Sequence, residues 1–189
     1  LAGICGALGI EDKDLIYRMA SLMEHRGEVI EAFADNGVTM ALIRHSDEPK
    51  LYDNGSVSIA LDQDIYALGG QLVDDHSPIY DHLVSGISYE DAIKDLRGGF
   101  ALSIVEKGKS SKRLILARDI YGTRSMYYLK TDHALFFASE MMDMLKRFHR
   151  PNTYTETLKS WNLMAILLWC ETFLWNEIIK PKKETSDVQ

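Results

Sequence analysis

Apolar positions change their period along this chain, and each change predicts an element. Residues 3–10 form a short apolar run with glycines at 3, 6 and 9, which predicts a strand approached closely by another backbone. Leu15, Ile16, Met19, Leu22 and Met23 then recur at helical spacing, with Asp12 or Asp14 as the cap and Gly27, after His25-Arg26, as the stop. Residues 38–44 and 57–61 read as strands, separated by a turn-rich stretch with Pro49 and Asn54-Gly55. Gly69-Gly70 interrupts the chain again. Ser77-Pro78 opens a short helix over 79–84, and Ser88 with Asp91 makes a capping box for another through Leu96. Residues 100–106, 113–118, 126–130 and 134–138 alternate or run apolar with short turns between, which predicts an antiparallel meander. Ser139 is placed to cap a helix reaching about Phe148, and Pro151 stops it.

This order of elements predicts an α+β fold with two antiparallel sheets between helical layers. Beyond it, Leu163, Ile166, Leu167 and Cys170 share one helical face, Phe173 and Leu174 extend it, and Met164, Leu168, Trp169 and Trp175 cover much of the rest. A helix apolar nearly all round must be buried. The division is therefore a domain over 1–148, a helical extension over 149–180 and a polar, disordered tail over 181–189.

Composition narrows the function classes. With 189 residues, 46% apolar and 26% charged, the chain reads as an ordinary soluble protein. Its net charge of −7 argues against nucleic acid or an anionic membrane as partner. The run 161–175 contains Asn162 and Glu171 and is short for a membrane span, which needs about 20 residues. The acidic stretch 11–14 directly after the first apolar run argues against a signal peptide. Cys5 and Cys170 form no metal or disulfide spacing, so no metal or cofactor is indicated and a reducing, cytoplasmic setting is expected.

Four segments, in order, carry a resemblance. They are Ala2-Gly3-Ile4-Cys5-Gly6, then His25-Arg26-Gly27, then Leu96-Arg97-Gly98-Gly99-Phe100-Ala101, and last the run Ala117-Arg118-Asp119-Ile120-Tyr121-Gly122-Thr123-Arg124-Ser125-Met126-Tyr127-Tyr128 with Phe137-Ala138-Ser139-Glu140. Over residues 2 to about 146 they resemble the glutaminase domain of class II glutamine amidotransferases, most of all that of asparagine synthetase. The resemblance implies a four-layer αββα N-terminal-nucleophile hydrolase sandwich, here with an extra C-terminal helix. It also implies a chemistry: a cysteine thiolate attacks the glutamine amide while its own α-amine moves the proton. An Asn-Gly pair forms the oxyanion hole, and an arginine and an aspartate hold the α-carboxylate and α-amine.

Set on that pattern, this chain departs from it at the reacting positions. Ala2 stands at the nucleophile position, behind Leu1, and a methyl group cannot attack. Cys5-Gly6-Ala7-Leu8-Gly9 also fits the family's opening, so Cys5 is an alternative nucleophile if residues 1–4 are removed; otherwise it is a small buried core residue. Asp62 and Gln63 align with the oxyanion pair, and an ionised Asp62 opposes a developing oxyanion by several kcal/mol. Otherwise this stretch is a solvated turn after a core strand. Arg44 aligns with the carboxylate-binding arginine, or is a solvated strand end. Asp75, or Asp74, lies where the amine-binding aspartate belongs. Arg118-Asp119 reads as architecture.

Two readings of function follow, with a truncated product of no selected role as a third. One is a degenerate domain without glutaminase activity that serves as a binding or regulatory subunit, its apolar C-terminal helix docking on a second copy or a synthetase-type chain. Glutamine or a related small molecule is its expected ligand. The other is an active glutaminase supplying ammonia to an asparagine-synthetase-like partner.

Overall fold

A computed structural model describes residues 1–35, 37–108 and 112–140. Strands β1 (Gly3–Leu8), β2 (Val29–Asp35), β3 (Val38–Arg44), β9 (Tyr127–Lys130) and β10 (Leu135–Ala138) form one antiparallel sheet in the order β2-β3-β1-β10-β9. Strands β4 (Tyr52–Asp53), β5 (Val57–Leu68), β7 (Leu96–Lys107) and β8 (Lys112–Arg118) form the second in that order, with β6 (Gln71–Leu72) pairing the end of β5.

Three apolar clusters hold these layers. Leu15, Ile16, Met19 and Ala20 of α1 (Lys13–Ser21) pack with Cys5, Ala7, Ala41, Ile43 and Phe136 on one face of the first sheet. Its other face meets the second sheet, where Ala2, Ile4, Met40, Leu42 and Phe137 join Ala60, Val105 and Leu114. The far face of the second sheet carries α2 (Ser77–Leu83) and α3 (Tyr89–Lys94) over Ile59, Leu61, Phe100, Leu102 and Ile104. The period of two along each strand sends alternate residues into different clusters. That is why Cys5 faces α1 while Ile4 faces the second sheet. The fold is an α+β sandwich of the expected class.

Local expectations held where the cap chemistry was explicit. Asp12 accepts from the Leu15 N–H at 2.9 Å to start α1, and Ser88 accepts from the Asp91 N–H at 3.1 Å to start α3. Ser77 proves to be the first residue of α2, and His76 occupies the cap position without a side-chain bond. The helix α1 ends at Ser21, and a 3-10 turn, Glu24–Arg26, carries the chain to Gly27. A Cβ on Gly27 would lie 2.1 Å from the carbonyl carbon of Arg44, so glycine is required there for backbone contact rather than for stopping α1.

Two expectations are corrected. The meander over 100–138 is two hairpins in different sheets: β7 pairs β8 in the second sheet, and β9 pairs β10 in the first. Asp119 makes the break by gathering the intervening turn, as described below. Residues 62–64 are no turn either. They continue β5, with Asp62, Gln63 and Asp64 opposite Ala101, Phe100 and Gly99. The strand bulges just beyond, between Ile65 and Ala67, where Gly98 has φ 138° and a Cβ would meet the Asp64 carbonyl oxygen at 2.2 Å. Strand β2, with all its residues half-buried, is an addition without a clean alternation to betray it. The helix expected after Ser139, the extension over 149–180 and the tail over 181–189 lie outside the described residues.

Candidate functional site

Strand β1 lies in the middle of the first sheet, between β3 and β10. Residue 2, immediately before it, is only 3% exposed. The Ala2 N–H donates to Oδ1 of Asp62 at 3.1 Å, and its carbonyl accepts from Nη1 of Arg26 at 2.9 Å. Next along, the Ile4 N–H donates to the Ser139 hydroxyl at 2.9 Å and the Ser139 N–H returns a bond to the Ile4 carbonyl at 2.7 Å.

Asp62 is the centre of the charge arrangement. Its side chain is 1% exposed; Arg26 stands 3.6 Å from Oδ2, and Nε of Arg124 stands 3.8 Å from Oδ1. Burial pushes the Asp62 carboxyl above its ordinary range, against the pull of Arg124 and Arg26. Oδ2 of Asp62 and Nε of Arg124 are both buried without a hydrogen-bond partner. Each arginine has a second carboxylate: Arg124 pairs Asp64, and Nε of Arg26 donates to Glu140 at 2.7 Å. The same Glu140 oxygen lies 2.7 Å from Nε2 of His25. Burial raises the Glu140 carboxyl, but its bonds to Arg26 and His25 outweigh that and hold it below the usual carboxylate range.

The remaining sequence-selected residues are distributed around this centre. Cys5 is fully buried in mid-β1, opposite Ala41 and Ala138. Gln63 faces away from Asp62: its Nε2 donates to Nδ1 of His76, and its Oε1 accepts from the Ile65 N–H at 3.1 Å. Asp75 lies just ahead of α2, with Oδ1 accepting from the His76 N–H at 2.6 Å, and that bond leads the causes lowering its pKa. Arg44 is 5% exposed. Its Nε and Nη2 donate to one oxygen of Glu31 at 3.1 and 2.6 Å, and its Nη1 reaches the carbonyls of His45, Ser46 and Glu48. Two of its nitrogens are engaged by Glu31 of β2, and the third fixes the loop that follows β3.

Asp119 organises the turn that delivers Arg124. Its carboxylate accepts from the N–H groups of Phe100, Tyr121, Thr123 and Arg124 and from the Thr123 hydroxyl. Burial pushes this carboxyl up; the bonds from Thr123 and then Arg124 and Phe100 bring it below its ordinary value. The architectural reading of Asp119 thus has a concrete basis.

Comparisons with known proteins point to one kind of domain. The family model for a glutamine amidotransferase domain matches residues 72–146. Asparagine synthetase [glutamine-hydrolyzing] 2 of Bacillus subtilis is 25% identical over 98% of this chain and 26% of its own length. Two solved structures share the fold: glutamine phosphoribosylpyrophosphate amidotransferase from B. subtilis, with a TM-score of 0.56 at 16% identity, and an allosteric regulatory enzyme of purine biosynthesis, with 0.56 at 15%. Each aligns over 75% of this chain and 42% of the other.

Residues 72–146 match a glutamine amidotransferase domain, and the chain as a whole is similar to amidotransferases of class II.

It spans about a quarter of the length of the curated relative. The sequence reading singled out Ala2 and Asp62, and they are in direct contact. It did not assign Arg26, Arg124 or Glu140 to the site. The signal was available, because all three stand inside the motifs that carried the resemblance. Among the described residues no group of three or more His, Cys, Asp or Glu side chains is placed to hold a metal, and no helix is long and apolar enough to cross a membrane.

Proposed function

We propose that this amidotransferase domain has lost glutamine hydrolysis and serves as a binding or regulatory subunit. The observation that carries the reading is the contact between residue 2 and Asp62. At the position where the chemistry requires a nucleophile there is a methyl group. At the position aligned with the oxyanion asparagine there is a buried carboxylate, accepting the Ala2 N–H at 3.1 Å. An acceptor cannot replace a donor for a developing oxyanion.

The alternative of an active glutaminase rests on Cys5. That thiol faces α1, on the other side of β1 from the Asp62 cluster, and is fully buried. Reaching a substrate would require the strand to turn over, exchanging its two buried faces. We infer a small amide or amino acid, glutamine or a relative, as ligand, with Arg26, Arg124 and Asp62 as its polar surroundings. A synthetase-type chain in a cytoplasmic setting is the inferred partner.

Ammonia release from glutamine by the purified protein tests the reading, and the expected result is none above a blank without protein. Release that Cys5→Ser abolishes would establish the active alternative. Thermal stabilisation by glutamine without turnover is the expected signature of a binding domain.

A further inference from the structure

We propose that Arg44 and the Leu51 N–H form a carboxylate-binding cradle, which this chain keeps closed by filling it with its own Glu31. The placement follows from the period of two along the first sheet. Ala2, Ile4 and Leu42 face the second sheet. Arg44 is two residues beyond Leu42 on β3, and Glu31 pairs with Leu42 across from β2, so both lie on that same face. Gly3 pairs with Ile43, which sets Arg44 level with Ala2 at one end of the sheet. Neighbouring strands are about 4.8 Å apart, so the cradle adjoins the contact between Ala2 and Asp62.

Glu31 is bound as a free carboxylate would be. Its Oε1 accepts from Nε and Nη2 of Arg44 at 3.1 and 2.6 Å, and its Oε2 accepts from the Leu51 N–H at 2.7 Å. A guanidinium fork with a backbone N–H suits the planar carboxylate group. The Arg44 side chain is 6% exposed and that of Glu31 is 27% exposed. Glu31 is thus the outer member of the pair, and removing it opens the guanidinium outward. The loop after β3 has other ties that stay. Nη1 of Arg44 holds three of its carbonyls, the Ser46 N–H donates to Glu28 at 2.9 Å, and the Tyr80 hydroxyl donates to the Lys50 carbonyl at 2.9 Å. A carboxylate carried on a fixed strand competes at an effective concentration in the millimolar range or above. A free carboxylate does not displace it. Glutamine or its relative would then be held with no recognition of its α-carboxylate. That consequence rests on the ligand reading above; the closed cradle does not.

The test removes the plug and offers a free ion in its place. Thermal unfolding of the parent should respond to acetate no more than to chloride at equal ionic strength. Glu31→Ala should melt lower and regain several degrees in acetate, but not in chloride or acetamide. Glu31→Gln, which keeps the cradle filled, should not respond. If Glu31→Ala is unfolded in plain buffer, recovery of its circular dichroism with rising acetate reads the same vacancy. Glu31→Ala indifferent to acetate would overturn the proposal, because a pair that only braces β2 against β3 leaves no site for an ion. Equal acetate stabilisation of the parent would overturn it too. Calorimetric titration with glutamine and with glutamine α-amide separates the two readings. The parent should bind them alike, and Glu31→Ala should prefer glutamine by about ten- to a hundredfold. A parent that already prefers glutamine to that degree would overturn the closure. Acetate rescue with neither amide bound would support the closed cradle and sink the ligand reading instead.

Discussion

The backbone N–H of Ala2 is bonded to the Asp62 carboxylate at 3.1 Å, 60 residues away in sequence. This bond ties the first strand of one sheet to the central region of the other. It also brings a buried carboxyl group against the residue that the sequence reading set at the nucleophile position. Asp62 is accordingly a structural post, and its two arginines are shared with Asp64 and Glu140.

Asp62→Asn should be nearly neutral. The amide oxygen can still accept from Ala2, and each arginine keeps its other carboxylate, so a change of about 1 kcal/mol or less is expected. Asp62→Ala leaves the Ala2 N–H buried without an acceptor and should cost about 2–4 kcal/mol. Urea unfolding of both variants measures the contrast; equal losses would mean that charge rather than the hydrogen bond holds the strand.

The pH dependence of Asp62 has a sign opposite to that of the carboxylates held below their ordinary range. Its folded pKa is raised, by burial first, so the folded state holds the proton more tightly than the unfolded chain. Its contribution favours folding at low pH and is lost as pH rises from the ordinary aspartate range through the raised value. Glu48, Asp53, Asp119 and Glu140 are lowered. Their stabilisation is present above their unfolded pKa values and is lost as pH falls. Subtracting the stability of Asp62→Asn from that of the parent cancels these shared terms. The difference should fall as pH rises from the ordinary aspartate range upward, measured by urea unfolding at each pH.

Installing the missing nucleophile should not recover efficient glutaminase activity. Ala2→Cys with Leu1 removed supplies a thiol and a terminal amine, but Asp62 still offers an acceptor where a donor is needed. Loss of one such donor costs about 10²–10³ in rate. Adding Asp62→Asn should raise the rate of that variant by a similar order. High turnover from Ala2→Cys alone would contradict the reading of Asp62.

Arg44 and Gly27 should behave as structural residues. Arg44→Ala strands the Glu31 carboxylate and releases the carbonyls of His45, Ser46 and Glu48, with an expected loss of about 3–5 kcal/mol. Gly27→Ala drives a methyl group into the Arg44 backbone and should cost about 2–3 kcal/mol. Thermal denaturation tests both. An Arg44→Ala variant that melts with the parent but loses ligand-induced stabilisation would return Arg44 to the ligand site.

The fold class, both clear helix caps and most strands were legible in the sequence. These depend on short-range chemistry: Asp12 and Ser88 bond within three residues, and the apolar period of two or about 3.6 is local. The motifs around Asp119 were legible for the same reason, since that carboxylate serves mainly its own turn. The motifs Ala117–Tyr128 and Phe137–Glu140 also carried the resemblance, and each is a contiguous run that can be read without knowing its long-range contacts.

The tertiary structure alone decided which sheet each hairpin joins. Strands β7 to β10 look alike in sequence, and only the packing of Phe137 and Leu135 with Ile4, as against Ile104 with Ile79, separates them. It alone kept Asp62 in a strand, because a carboxylate with two arginines brought from distant segments can be buried where an isolated one would mark a turn. It alone showed that Arg44 closes its own loop. Long-range pairing of charges leaves no periodic trace in a chain, and Ala2, Arg26, Asp62, Arg124 and Glu140 become one site only when the two sheets close face to face.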